Sequence, residues 1–144
     1  MSSGAYEASR AHVDVLRDVP LFAGLDDEAL RGLAQASTEV ELPAGHVLCE
    51  PGHHGCGLFV VLDGSAEVRL GDQTVERGPG EILGELSLLV DDLTHVARVQ
   101  AATRLRCLAI GRGAFARLLD EHPQVAVALL PVLARRLAET QTLV

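Results

Sequence analysis

The chain has 144 residues, enough for one ordinary domain with a single sizeable core. Its formal net charge is −8 and every basic residue is an arginine, which excludes a general binder of nucleic acid or anionic membrane unless a local basic stripe offsets the charge. No run of about 18 apolar residues occurs, so no segment reads as a membrane-spanning helix.

The amino terminus, MSSGAYEASRAHVD, lacks a charged-then-apolar signal and reads as a frayed lead-in, flexible over residues 1–10. Residues 8–18 suit a short helix with Val13 and Leu16 on one face. VPLFAGL, residues 19–25, is a turn carrying large apolar groups that need burial. Asp26 is placed to cap a helix through about Gln35, with Leu30 and Leu33 on one side and acids in the first turn.

From residue 37 to 110 the pattern changes. TEVEL, HVLC, LFVVLDG, SAEVRL and QTVERG are short, β-branched and often alternating, with Gly and Pro punctuating every eight to twelve residues. THVARVQAAT and RLRCLAIG supply two more strands. In the first of these, Val96 and Arg98 take one face and His95, Ala97 and Val99 the other. Helix returns at GRGAFARLLDEHP, and Pro123 opens a last helix in which Val127, Leu130, Leu133 and Leu137 form an apolar stripe. Pro131 removes one backbone hydrogen bond there and predicts a kink.

The expected fold class is therefore mainly β with flanking helices: an eight-stranded antiparallel β roll, jelly-roll-like, with N-terminal helices and two C-terminal helices. Residues 1–144 read as one domain, with 111–144 as a C-terminal helical lid or dimer segment. The dense basic spots, Arg104 with Arg106 and Arg135 with Arg136, are too small for a nucleic-acid footprint, and no helix-turn-helix follows the last helix. No direct nucleic-acid or membrane partner is expected. Cys49, Cys56 and Cys107 are odd in number and form no CxxC, which predicts reduced thiols in a cytoplasmic protein.

GELSLLVDDLTHVARVQA, residues 84–101, carries the chemistry. Gly84 permits a tight backbone and ELSLL can start a very short helix, whose unpaired N–H groups and positive dipole end favour an anion. Glu85 at the helix start can accept hydrogen bonds from ligand hydroxyls. Upstream, PGHHGCGLFVVLDG sets Gly52, Gly55 and Gly64 as corners around an apolar strand.

Together with VPLFAGLDDEALRGLA at the front and FARLLDEHPQVAVALLPVLARRL at the back, these motifs resemble the cyclic nucleotide-binding domain family. That family includes the catabolite activator proteins, the regulatory subunits of cyclic AMP-dependent kinase and nucleotide-gated channels. The resemblance covers roughly residues 14–137. It implies that a cyclic phosphate, of cyclic AMP or cyclic GMP, sits on the backbone N–H groups of Gly84, Glu85, Leu86 and Ser87, and that Glu85 binds the ribose 2′-hydroxyl. It also implies an arginine at the start of the next strand followed by a small or hydroxylated residue, where this sequence has His95 and Val96.

That departure has a physical cost. Arginine brings a permanent charge and a planar fork that matches two phosphate oxygens. A histidine, with its ordinary pKa near 6.5, is mostly neutral at pH 7 and donates one bond at a time. Arg98, three residues on, turns to the opposite face of a regular strand, and Arg77 and Arg104 are the other candidates, whose positions the sequence does not give.

Two functions follow. One is a stand-alone sensor of cyclic AMP or a related phosphorylated ligand, signalling through the hinge at 111–125 and the last helix to a protein partner, with homodimerisation through residues 123–143. The other is a degenerate domain that has lost the nucleotide and serves as an interaction or scaffold protein. His46, His53 and His54 raise a third reading, a cupin-like metal enzyme. It is disfavoured because adjacent His53 and His54 point apart in an extended strand. The sequence gives no nucleophile–base pair, and no enzyme, metal or cofactor is expected.

Overall fold

A computed structural model describes residues 2–50, 57–84 and 97–140. The chain divides into two compact units, one formed by residues 1–35 and 116–144 and the other by residues 36–115.

The first unit is helical. Helix α1 spans Ser2–Arg17, so it begins six residues before the expected start at residue 8. Val13 and Leu16, one turn apart, are its buried side chains among the described residues. A 3₁₀ turn at Pro20–Phe22 buries Leu21 and Phe22, as the apolar VPLF run requires. Helix α2 spans Asp27–Ala36 and is capped by Asp26, whose Oδ1 accepts a hydrogen bond from the Ala29 N–H at 2.9 Å. Arg17, in the last turn of α1, pairs with Asp14 at 3.1 Å and with Asp27 at 2.9 Å. The hydrogen bond that the Arg17 guanidinium donates to Asp27 is the leading cause that raises the Arg17 pKa above its ordinary value.

Helix α3 (Arg112–Glu121) and helix α4 (Pro123–Thr140) complete the helical set, with Pro123 at the first position as expected. The α4 helix continues through Pro131. Its buried face differs from the expected stripe: Val125 and Leu129 are buried, whereas Val127 and Leu130 are 67% and 64% exposed. The sequence holds two apolar faces on this helix, and spacing alone does not say which one the core takes.

The second unit is a pair of four-stranded antiparallel sheets. Its strands are β1 (Ser37–Leu42), β2 (Val47–Cys49), β3 (Leu58–Asp63), β4 (Ala66–Leu70), β5 (Gln73–Arg77), β6 (Ile82–Leu83), β7 (Arg98–Ala101) and β8 (Leu105–Ile110). One sheet has the order β1-β8-β3-β6 and the other β2-β7-β4-β5. Alternation places Val61, Leu83, Leu105 and Cys107 of the first sheet in one apolar cluster with Cys49, Ala66, Val99 and Ala101 of the second. The eight-stranded β roll with flanking helices is thus the observed architecture.

Gly64 turns the β3–β4 corner at φ 87°, and a Cβ there would lie 2.1 Å from the Arg104 carbonyl oxygen. Only glycine fits so close an approach in that conformation. Gly52 and Gly55, the other expected corners, lie outside the described residues.

The expectation of three reduced thiols fails at Cys49, which is disulfide-bonded, while Cys107 is free and buried. Searching for CxxC misses such a bond because pairing depends on where strand ends lie, not on one short spacing. Cys56 lies outside the described residues.

Candidate functional site

The candidate ligand segment is framed by two strands from different sheets. Strand β6 is the edge strand of its sheet, and its Ile82 and Leu83 pair with Val60 and Phe59 of β3. Two further backbone bonds extend this pairing toward the preceding turn: Val61 N–H to Glu81 O at 2.9 Å and Gly80 N–H to Val61 O at 2.8 Å. Glu81 closes the same turn by accepting from the Gly78 N–H at 2.8 Å and by pairing with Arg77 at 3.6 Å. Leu83 is anchored in the core at 3% exposure, and the chain leaves it through Gly84 at φ 79°. A left-handed residue at the end of a strand redirects the backbone sharply, as the GEL motif requires.

Glu85, Leu86 and Ser87, together with His95 and Val96, lie outside the described residues, and so do His53 and His54. Gly84 is therefore the member of the expected cradle whose backbone is described. The chain returns at Ala97 and enters β7, an inner strand of the second sheet. On β7, Val99 and Ala101 are buried and Arg98 and Gln100 take the other face. The expected alternation thus holds for the described part of the strand.

Each arginine considered as a surrogate has a carboxylate partner. Arg98 Nε lies 3.5 Å from Glu50 Oε1, Arg77 Nη1 lies 3.6 Å from Glu81 Oε2, and Arg104 pairs with Glu41. Arg106, the neighbour of Arg104 in sequence, lies 3.9 Å from Glu39. The densest basic spot on the strands is therefore offset by the acids of β1, which weakens any anion-binding role there. These partnerships join residues distant in sequence, except for Arg77 with Glu81.

Among the described residues no group of three or more His, Cys, Asp or Glu side chains is arranged to hold a metal ion, and His46 is exposed. No described helix is long and apolar enough to cross a membrane.

Residues 39–122, from β1 to the end of α3, match the family described as the cyclic nucleotide-binding domain. The chain belongs to that family. It is 33% identical over 132 residues to a cyclic nucleotide-gated potassium channel of Rhizobium etli, covering 88% of this chain and 37% of the channel. The N-terminal domain of a transcriptional regulator from Streptomyces coelicolor A3(2) superposes with a TM-score of 0.77 at 37% identity, covering 89% of this chain and 95% of that one. The regulatory subunit of a cAMP-independent protein kinase A from Trypanosoma brucei, in a triple mutant bound to cAMP in the A site, gives a TM-score of 0.74 at 27% identity. That match covers 92% of this chain and 48% of the subunit. The chain spans between about a third and three fifths of the curated relatives it matches first. Domains similar to it occur in a cyclic nucleotide-gated potassium channel, in cAMP-dependent protein kinase regulatory subunits and in a CRP-like cAMP-activated global transcriptional regulator.

Proposed function

We propose that this domain receives cyclic AMP, or a related phosphorylated ligand, on the segment Gly84–Ser87. The signal passes through the hinge at residues 111–125 to α4 and from there to a protein partner. The observation that carries the reading is Gly84: it ends β6 at φ 79° where the GELS run begins, inside the span matched to the family. Backbone amides opening a helical turn hold an anion, and Glu85 supplies an acceptor for ribose hydroxyls. His95 and Val96 take the place of the family's arginine and small residue. Losing the guanidinium fork at roughly 1.5–3 kcal/mol per charged hydrogen bond lowers affinity by about two orders of magnitude. The exposed Val127 and Leu130 on α4 support homodimerisation through residues 123–143.

A second reading is favoured by the ion pairs at Arg77, Arg98 and Arg104, since a carboxylate competes with any phosphate for each of these cations. On this reading the domain keeps the fold, takes no cyclic nucleotide and serves as an interaction module. The Trypanosoma relative lends support. It belongs to a cAMP-independent kinase, and its cAMP-bound form carries threonine-to-arginine and valine-to-alanine changes at consecutive positions. This chain has His95 and Val96 in succession.

Calorimetry with cyclic AMP and cyclic GMP at pH 6 and pH 7.5 separates the two, applied to the natural chain and to His95→Arg. The sensor reading expects tighter binding at pH 6, where imidazole is protonated, and about a hundredfold gain in His95→Arg. Negligible heat from both proteins at both pH values leaves the interaction module.

A further inference from the structure

Each sheet of the roll ends in two edge strands, and three of these four edges are blunted against pairing with another chain. Strand β6 has two residues, and β2 has three with a register shift between Val47 and Cys49. Strand β1 carries Glu39 and Glu41, which would oppose each other if two copies met centred on Val40. Strand β5 has no such device: its five residues pair with β4 without a bulge, and none is proline. Among the described residues no strand or backbone group pairs with its far side. Gln73 to Glu76 are exposed, and Val75 at the centre is 41% exposed. We propose that β5 joins two copies of this chain, antiparallel and centred on Val75. Their second sheets then form one continuous sheet.

The backbone restricts the register. Leu70 pairs with Gln73 around the two-residue turn Gly71–Asp72, so these two exchange both backbone bonds. Alternation gives the same bonds to Val68 with Val75 and to Ala66 with Arg77. The N–H and C=O groups of Thr74 and Glu76 therefore point away from β4. In the centred register Thr74 of each copy meets Glu76 of the other, and all of these groups are satisfied in about four bonds.

The side chains agree with that register. The Thr74 hydroxyl donates to the second copy's Glu76 carboxylate, and Val75 covers the second copy's Val75. Arg77 lies 3.6 Å from Glu81 of its own chain, and its remaining N–H groups reach the second copy's Gln73 amide oxygen. Sliding by two residues sets Glu76 against Glu76 in one direction and against Asp72 in the other. A one-residue slip sets the outward groups against groups already bonded to β4. Within its own hairpin Glu76 opposes Glu67, a like-charge pair whose cost a hydroxyl donor on the second copy offsets.

A five-residue strand buries less than a standard interface, so the association is weak, with a Kd of roughly 0.1–1 mM. It needs no bound nucleotide and is separate from any contact through α4. The test therefore uses the full chain carrying Leu130→Glu, without nucleotide, over about 0.01–2 mM in sedimentation equilibrium. The expected result is monomer at the low end and dimer at the high end. Amide exchange at Thr74 and Glu76 should slow by about twofold or more at the high end, while Gln73, Val75 and Arg77, already bonded to β4, stay unchanged. Adding Thr74→Glu sets acid against acid twice and should weaken association by about tenfold or more. Adding Glu76→Thr to that variant places acid opposite hydroxyl again and should restore association to within about threefold. Circular dichroism should be the same for all three proteins. Monomer at every concentration, association indifferent to Thr74→Glu, no restoration by Glu76→Thr, or exchange slowed alike at all five residues would each overturn the proposal.

Discussion

Arg98 and Glu50 face each other beside the β2–β7 ladder, with Nε and Oε1 3.5 Å apart. The Arg98 side chain leaves β7 on the face opposite Val99, which is 5% exposed and belongs to the core. An arginine directed this way cannot serve a phosphate on the other side of its strand without a change of register. With side-chain exposures of 41% and 43%, the pair contributes roughly 0–1 kcal/mol.

Arg98→Ala should therefore lower stability by about 1 kcal/mol or less and leave any cyclic nucleotide affinity within about twofold. Urea unfolding and calorimetry measure the two effects. A tenfold or larger loss of affinity would place Arg98 at the phosphate after all. Glu50→Ala should show the same small stability loss, and the double variant should cost less than the two losses added together.

The Gly64 corner provides a sharper test of the roll. A side chain there meets both a positive φ of 87° and the Arg104 carbonyl oxygen, the 2.1 Å approach leaving no room for a methyl group. Gly71 also has positive φ, 59°, but nothing lies within 4 Å of its would-be Cβ. Gly71→Ala should cost about 1 kcal/mol, the conformational penalty alone, and Gly64→Ala about 3 kcal/mol or more. Urea midpoints that coincide would show that the close approach at Gly64 relaxes freely.

The roll was legible because its cause is local. Alternation in TEVEL, SAEVRL and QTVERG marks β1, β4 and β5, and Asp26 before an acidic first turn marks α2. The partners of the arginines were not legible: Glu50 and Arg98 lie 48 residues apart, and pairing them needs the β2–β7 register, which no single strand encodes. The same holds for Cys49, whose bonded state no short cysteine spacing signals. At the candidate site, the glycine that ends β6 was readable because a tight turn into a GEL run needs a residue that tolerates positive φ. The departure at His95 and Val96 was readable only against the family pattern.

Helix α4 separates stability from association. Leu129 is 2% exposed and its neighbour Leu130 is 64% exposed. Leu129→Ala should destabilise the protein by about 2–4 kcal/mol, and Leu130→Ala by less than about 0.5 kcal/mol. If α4 joins two copies, Leu130→Glu should shift the protein to monomer in sedimentation velocity while its melting as a monomer stays unchanged. A mass that does not respond to Leu130→Glu rules out this face as the dimer seam.

Cys107 makes the alkaline limb of stability interpretable. It is fully buried on β8, and burial pushes its thiol pKa up from the ordinary 9.0 to about 11. Between those values the unfolded chain has lost the proton and the folded chain retains it. The unfolded state then binds fewer protons, and stability falls as pH rises. The contribution is fully retained below pH 9 and is lost by pH 11, an effect of roughly 2–3 kcal/mol. The sequence contains no lysine and only one tyrosine, and arginine stays charged throughout, so few other groups titrate in this window. Cys107→Val removes the ionising group while keeping a small apolar side chain. Urea unfolding of both proteins at pH 8, 9, 10 and 11 should show the natural chain losing stability relative to the variant. Parallel curves would mean that the thiol ionises without leaving its place in the core.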